Sequence, residues 1–189
     1  ITSSNVSSGS LASGATIFAG GNVTISGSDD VKLVNNGSII SGAGNINITA
    51  GSIANVSNAL ASAVIKTKSV ASTSTGNVSL TATTGDIVNL GASISATNGL
   101  MLTAEEGSII NASIVHTNDA GLLALNDSLV GQDNADAGYA PYQLQGGSAR
   151  TGGNISSAFA REASLSGGSV EIDAANDVTN LAASITTSK

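Results

Sequence analysis

Gly76-Asn77-Val78-Ser79-Leu80-Thr81-Ala82, followed by Gly85-Asp86-Ile87-Val88-Asn89-Leu90-Gly91-Ala92-Ser93-Ile94, is the stretch from which the fold is read. Its first part alternates apolar and polar residues, so that Val78 and Leu80 share one side of an extended chain. Its second part sets an aliphatic, Ile87, two residues before an asparagine, Asn89, and another aliphatic, Ile94, five residues after it. Short alternating runs bounded by Gly, Asn, Asp and Ser read as short strands joined by tight turns.

The unit recurs, and recurrence decides the architecture. The alternating pair appears at Val23-Thr24-Ile25, Ile46-Asn47-Ile48, Val78-Ser79-Leu80, Leu100-Met101-Leu102, Leu123-Ala124-Leu125 and Val170-Glu171-Ile172. The aliphatic-x-Asn triplet appears at Leu33-Val34-Asn35, Ile53-Ala54-Asn55, Ile87-Val88-Asn89, Ile109-Ile110-Asn111 and Val178-Thr179-Asn180. A further aliphatic follows five residues after four of these asparagines, at Ile40, Leu60, Ile94 and Ile185, and three residues after Asn111, at Ile114. Three short strands per unit of about 20–23 residues make one coil of an all-β, right-handed parallel β-helix, a solenoid. One coil does not bury its apolar side alone. Stacking on the next at about 4.8 Å pairs the backbone groups and buries a continuous column.

Composition agrees with a narrow stacked interior. Of 189 residues, 41% are apolar but only 2% aromatic and 10% charged, with 23 Gly, one Pro and no Trp, so aliphatics and alanine must fill the core. The absence of Cys excludes a disulfide scaffold and Cys-based zinc sites. A net charge of -7 disfavours nucleic acid and acidic membrane surfaces, which require clustered Lys and Arg. No apolar run approaches the roughly 18 residues of a membrane span, and no signal peptide is read. The length suggests a single domain.

The recurring asparagines follow from the same geometry. Asn35, Asn55, Asn89, Asn111 and Asn180 are each two residues from an inward aliphatic, so they are expected to face inward at a turn. Their amides are then placed to bond to the coils above and below as a structural ladder.

Two inserts break the period. The first is expected over 63–75 and contains the alternating run Val64-Ile65-Lys66-Thr67-Lys68-Ser69-Val70, read as a hairpin or extra strand beside the shaft. The second is expected over 126–167 and gathers Tyr139, Tyr142, Pro141, Arg150, Arg161 and Phe159. Rare, adhesive side chains concentrated in one irregular stretch make Tyr139, Tyr142, Arg150, Phe159 and Arg161 the candidate binding residues, set against packing of the stretch back on the shaft. The repeat still runs through Ala183-Ser184-Ile185-Thr186-Thr187, with no amphipathic capping helix at either end. The expectation is one β-helix segment, 1–189, of a longer array, or a subunit that associates end to end with copies of itself.

Catalysis requires convergent groups, and none is read. The sole histidine, His116, lies outside any Ser/His/Asp or metal spacing. Glu105-Glu106 falls in a turn between Leu102 and Ile109, where charge faces water. Asp30, Asp86 and Asp177 precede the second strand of their units, but Ser52 and Ser108 occupy the intervening ones, which leaves gaps in any calcium spine. No catalytic residue, metal site or cofactor is expected. Asn-x-Ser/Thr occurs nine times, mostly as a by-product of the repeat, and Asn126 and Asn154 are the better glycan acceptors.

The units at 76–82 and 85–94, with their relatives at 21–60, 99–117 and 168–187, resemble the repeats of filamentous-haemagglutinin-like large exoproteins. The resemblance implies a right-handed β-helical shaft, secreted across the Gram-negative envelope with an outer-membrane partner by the two-partner route, and roles in adhesion, biofilm or contact inhibition. The family's secretion domain carries an Asn-Pro-Asn motif that is missing here, since Pro141 stands alone, so a mid-protein shaft segment is implied. The expected function is a structural and adhesive shaft on the bacterial cell surface that holds binding regions for a host-cell or neighbouring-cell glycan or protein. The alternatives are a β-helical polysaccharide lyase or hydrolase and a self-stacking extracellular filament subunit.

Overall fold

Each alternating run becomes a strand lying beside its counterpart from the next unit. The computed structural model describes residues 2–4, 16–57, 62–68, 76–116 and 159–188, with 2–4, 114–116 and 159–161 described through their backbone. Sheet A contains β1 (Thr2–Ser4), β4 (Lys32–Asn36), β7 (Ser52–Val56), β10 (Ile87–Leu90), β13 (Ile109–Ala112) and β18 (Val178–Leu181), in that spatial order. Sheet B contains β2 (Thr16–Ala19), β5 (Ile39–Gly42), β8 (Val64–Thr67), β11 (Ser93–Ser95), β16 (Ser164–Gly167) and β19 (Ser184–Thr187). Sheet C contains β3 (Val23–Ser26), β6 (Ile46–Ala50), β9 (Val78–Ala82), β12 (Gly99–Ala104) and β17 (Ser169–Ala174). The chain visits A, B and C in turn and every pairing within these sheets is parallel, which makes a right-handed parallel β-helix with three corners per coil.

Register stacks like on like. Leu33, Ile53, Ile87, Ile109 and Val178 form one column, and Ile40, Ile65, Ile94, Leu165 and Ile185 another. Ala50, Ala82, Ala104 and Ala174 form a column of alanines where the interior narrows. These residues, with the Val/Ile/Leu pairs of sheet C, make the main core. Interiors pack to crystal-like density, so a space this narrow excludes aromatic rings. Sheet A is apolar on both faces: Val34, Ala54, Val56, Val88, Leu90 and Ala112 form a second buried cluster on the opposite side from the Ile column. The outward positions of sheets B and C are mostly Ser, Thr, Asn, Lys, Glu and Asp.

The A-to-B corner is a two-residue turn in three coils, and its first residue has a positive φ: Gly37 and Gly91 at 55° and Ala182 at 47°. Left-handed backbone is favourable for Gly and strained for Ala. β7 and β13 are followed by Ser57 and Ser113 at this position, and there the chain leaves the shaft.

Both expected inserts are therefore corrected at their boundaries. Within 63–75, Val64–Thr67 is not an excursion beside the shaft but strand β8, with Ile65 stacked between Ile40 and Ile94. Leu60, expected as the shaft residue, lies outside the described residues. The second insert begins at Ile114 and not near residue 126, because Ile114–His116 (β14) pairs antiparallel with Phe159–Arg161 (β15) as a ribbon leaving the coil. It ends before β16, so Ser164–Gly167 belongs to the shaft and Leu165 takes the column position expected for Ile114. The physical reason is reach: three residues after Asn111 the chain has not yet turned the corner, which takes five residues in the tight coils.

Candidate functional site

The inward asparagines are the most heavily bonded polar side chains of the shaft. Asn35 Nδ2 donates to Asn55 Oδ1 at 2.7 Å, and Asn55 to Asn89, Asn89 to Asn111 and Asn111 to Asn180 follow at 2.8 Å each. These steps span 20, 34, 22 and 69 residues of sequence, so the ladder runs unbroken through coils that carry excursions. In the tight coils the same Nδ2 also closes the A-to-B corner, donating to the carbonyl three residues on: Asn35 to Ser38, Asn89 to Ala92, Asn180 to Ala183. Burial of an amide is tolerable only with its bonds made, and the ladder makes them within the shaft. One atom is left over: Asn35 Oδ1 is buried without a partner at the end of the ladder where β1 places Ser3 in register.

A second asparagine column, not assigned from the sequence, lines the B-to-C corner. Asn22 Oδ1 accepts the Asn45 N–H at 2.8 Å, Asn45 Oδ1 accepts the Asn77 N–H at 3.0 Å, and Asn98 Nδ2 donates to Asn77 Oδ1 at 2.8 Å. The signal was the Gly-Asn dipeptide opening three of the alternating runs, at 21–22, 44–45 and 76–77, with the order reversed at Asn98-Gly99. The coils touch at Gly44 and Gly76, where a Cβ would lie 2.2 Å from Asn22 Oδ1 and 2.7 Å from the Gly44 carbonyl oxygen, whereas Gly21 has open space.

At the C-to-A corner Asp86 and Ser108 cap backbone N–H groups of the next coil. Asp86 Oδ1 accepts the Ser108 N–H at 2.7 Å, and Ser108 Oγ accepts the Asp177 N–H at 3.3 Å. Either oxygen can accept that N–H, but the pattern stops at Ser52, whose Oγ is buried without a partner and whose register neighbour is Lys32, not Asp30. Glu105 and Glu106 are exposed in the β12–β13 turn. Among the described residues there is no group of three or more His, Cys, Asp or Glu arranged to hold a metal ion.

The candidate binding residues are not brought together by the described structure. Tyr139, Tyr142 and Arg150 lie outside the described residues. Phe159 and Arg161 are on β15, in register with His116 and Ile114. Beside the root of this ribbon, shallow open notches of about 290 and 300 Å³ flank Glu162 along the A-to-B corner. One is lined by 62–64 and 91–93, the other by Ala163 and 182–184. Hydroxyls, backbone and a single carboxylate can hydrogen-bond a ligand there but supply no nucleophile with an adjacent base. Of the Asn-x-Ser/Thr sites, Asn55 and Asn111 are ladder members whose amide nitrogens are buried and engaged, whereas Asn126 and Asn154 lie outside the described residues.

No protein-family model, no curated protein and no solved structure matches this chain.

Proposed function

We propose that the chain is a non-catalytic structural and adhesive shaft segment of a secreted bacterial surface exoprotein, which carries contact segments away from the cell on a rigid β-helix. The observation that carries this reading is the continuity of the asparagine ladder beneath the excursions, from Asn55 through Asn111 to Asn180. A scaffold that keeps its internal bonds while segments leave it is suited to display, since binding residues gather on loops fixed to rigid supports. The partner on this reading is a glycan or protein of a host or neighbouring cell, and the outer-membrane secretion partner follows from the resemblance to filamentous-haemagglutinin-like exoproteins. The test is attachment of the purified chain to cultured epithelial and bacterial cells, with Tyr139, Tyr142 and Arg150 each replaced by Ala. Loss of attachment with an unchanged far-UV circular dichroism spectrum supports the reading. Attachment that never exceeds that of an unrelated acidic protein, or release of product from neutral or acidic polysaccharides, contradicts it.

A further inference from the structure

The chain departs from the coil period at four places, between β1 and β2, after Ser57, after Lys68 and after Ser113, and the departures after Ser57 and Ser113 have the same chemistry at the root. The Ala63 N–H donates to Ser57 Oγ at 2.8 Å where the chain returns to β8. The Ala163 N–H donates to Ser113 Oγ at 2.9 Å where it returns to β16, and Ser113 Oγ in turn donates to the Ala182 carbonyl. Between β8 and β9, the Gly76 N–H donates to Thr97 Oγ1 at 2.9 Å, the Thr97 N–H donates to Thr67 Oγ1 at 2.8 Å, and the two hydroxyl oxygens are 3.2 Å apart. Ser57, Thr67 and Ser113 are all buried.

Where the chain turns directly, the equivalent positions hold no hydroxyl. Gly37, Gly91 and Ala182 stand in place of Ser57 and Ser113, and Gly42, Ala96 and Gly167 stand in place of Thr67. The direct A-to-B corner is closed by the ladder asparagine bonding three residues ahead; where the chain leaves, the serine hydroxyl holds the returning strand. The same bond closes loops of very different size, since its partners are 6 residues apart at Ser57 and 50 apart at Ser113. The entropic cost of lengthening a loop closed at its root grows only with the logarithm of its length, so one closing bond serves both.

We propose that Ser57 and Ser113 are closure residues: their hydroxyls seal the shaft where the chain leaves after β7 and β13, and uncouple the length and sequence of those excursions from coil stacking. A buried hydroxyl that bonds the first backbone group of the returning strand fixes where that strand re-enters register. After β4, β7, β10, β13 and β18 the residue following the sheet A strand is Gly or Ala where the chain turns directly and Ser where it leaves. This holds whether or not the excursions make contacts with a partner, so it stands or falls separately from the proposed function.

The test is amide hydrogen exchange on the full chain carrying Ser113→Ala or Ser113→Thr, read by NMR at Ala163 and at the interior amides of Ile87 and Ile94. Loss of one buried bond is expected to speed exchange at Ala163 roughly tenfold in the Ala variant, with near wild-type exchange in the Thr variant and unchanged interior amides. Unchanged exchange at Ala163, or equal acceleration at Ile87 and Ile94, overturns the proposal. A second arm covers an Ala variant that does not fold: a short Gly/Ser insertion after residue 91, made with and without Gly91→Ser. A higher melting temperature with the serine supports closure; equal or lower melting with the serine contradicts it.

Discussion

Asn89 Nδ2 donates to Asn111 Oδ1 at 2.8 Å across one coil spacing, and both side chains are 1% exposed. Asn89 Nδ2 also reaches the Ala92 carbonyl of its own corner at 2.8 Å and the Ser164 carbonyl of the next coil at 3.3 Å. One side chain therefore holds the register of two coils and closes a turn.

Asn89→Ala is expected to be among the most destabilising substitutions in the shaft. It strands the Asn111 Oδ1 in a buried site and removes one bond each from the Asn55 amide and the Ala92 carbonyl, for a loss of about 2–4 kcal/mol. Asn180→Ala, at the exposed end of the ladder, is expected to cost about 1 kcal/mol or less. Urea unfolding of the two variants against the parent measures the difference, and similar losses for both would contradict the ladder.

Ser3→Asn is expected to stabilise. Position 3 is in register with Asn35, whose Oδ1 is buried without a partner, so an amide there extends the ladder by one rung. The gain is about 1 kcal/mol, a rise in Tm of about 2–4 °C for a chain of this size. An unchanged or lower Tm means that the unpaired oxygen is satisfied in another way.

The A-to-B corner separates two substitutions at equivalent positions by sign. Ala182→Gly relieves a left-handed backbone at φ 47° and is expected to gain about 1 kcal/mol, whereas Gly91→Ala imposes that strain at φ 55° and is expected to cost about 1–2 kcal/mol. Thermal melts of both variants check the pair; the same sign for both would rule out backbone strain as the cause.

Narrowness of the interior is tested from both sides. Ile87→Ala leaves a cavity in the fully buried column and is expected to cost about 2–5 kcal/mol. Ala82→Phe forces a ring into the alanine column between Ala50 and Ala104, and is expected to cost about 1–3 kcal/mol or more. Tolerance of Ala82→Phe, seen as an unchanged denaturation midpoint, would mean that composition and not space keeps aromatics out of the shaft.

Much of this architecture is legible in the sequence because stacking places chemically equal positions at equal intervals. The aliphatic-x-Asn triplets give sheet A and its inward asparagines directly, since Ile87 and Asn89 must share a side of the strand. The roots of the excursions are not legible from hydrophobicity. Leu60 and Ile114 satisfy an aliphatic requirement as well as Ile65 and Leu165 do, and pattern matching selects whichever comes first. The information lies one residue after the triplet's strand, in glycine at 37 and 91 against serine at 57 and 113, because only a left-handed residue turns the corner in two steps. The Asn22, Asn45 and Asn77 positions were visible as Gly-Asn, and Asn98 as the reversed Asn-Gly, but the column acquires its role only when the corner brings those coils into contact. Tyr139, Tyr142 and Arg150 remain sequence-based candidates.

The central claim is that the shaft is complete in itself and that excursions are carried by it without supporting it. Hydrogen exchange of the intact chain, compared with a chain in which residues 117–158 are replaced by a short Gly/Ser link, tests this most directly. The account predicts that the amides of Ile87, Ile109 and Leu165 keep their protection in both chains, because their bonds and the Asn89–Asn111–Asn180 ladder lie within the coils. Loss of protection at these amides in the shortened chain would contradict it.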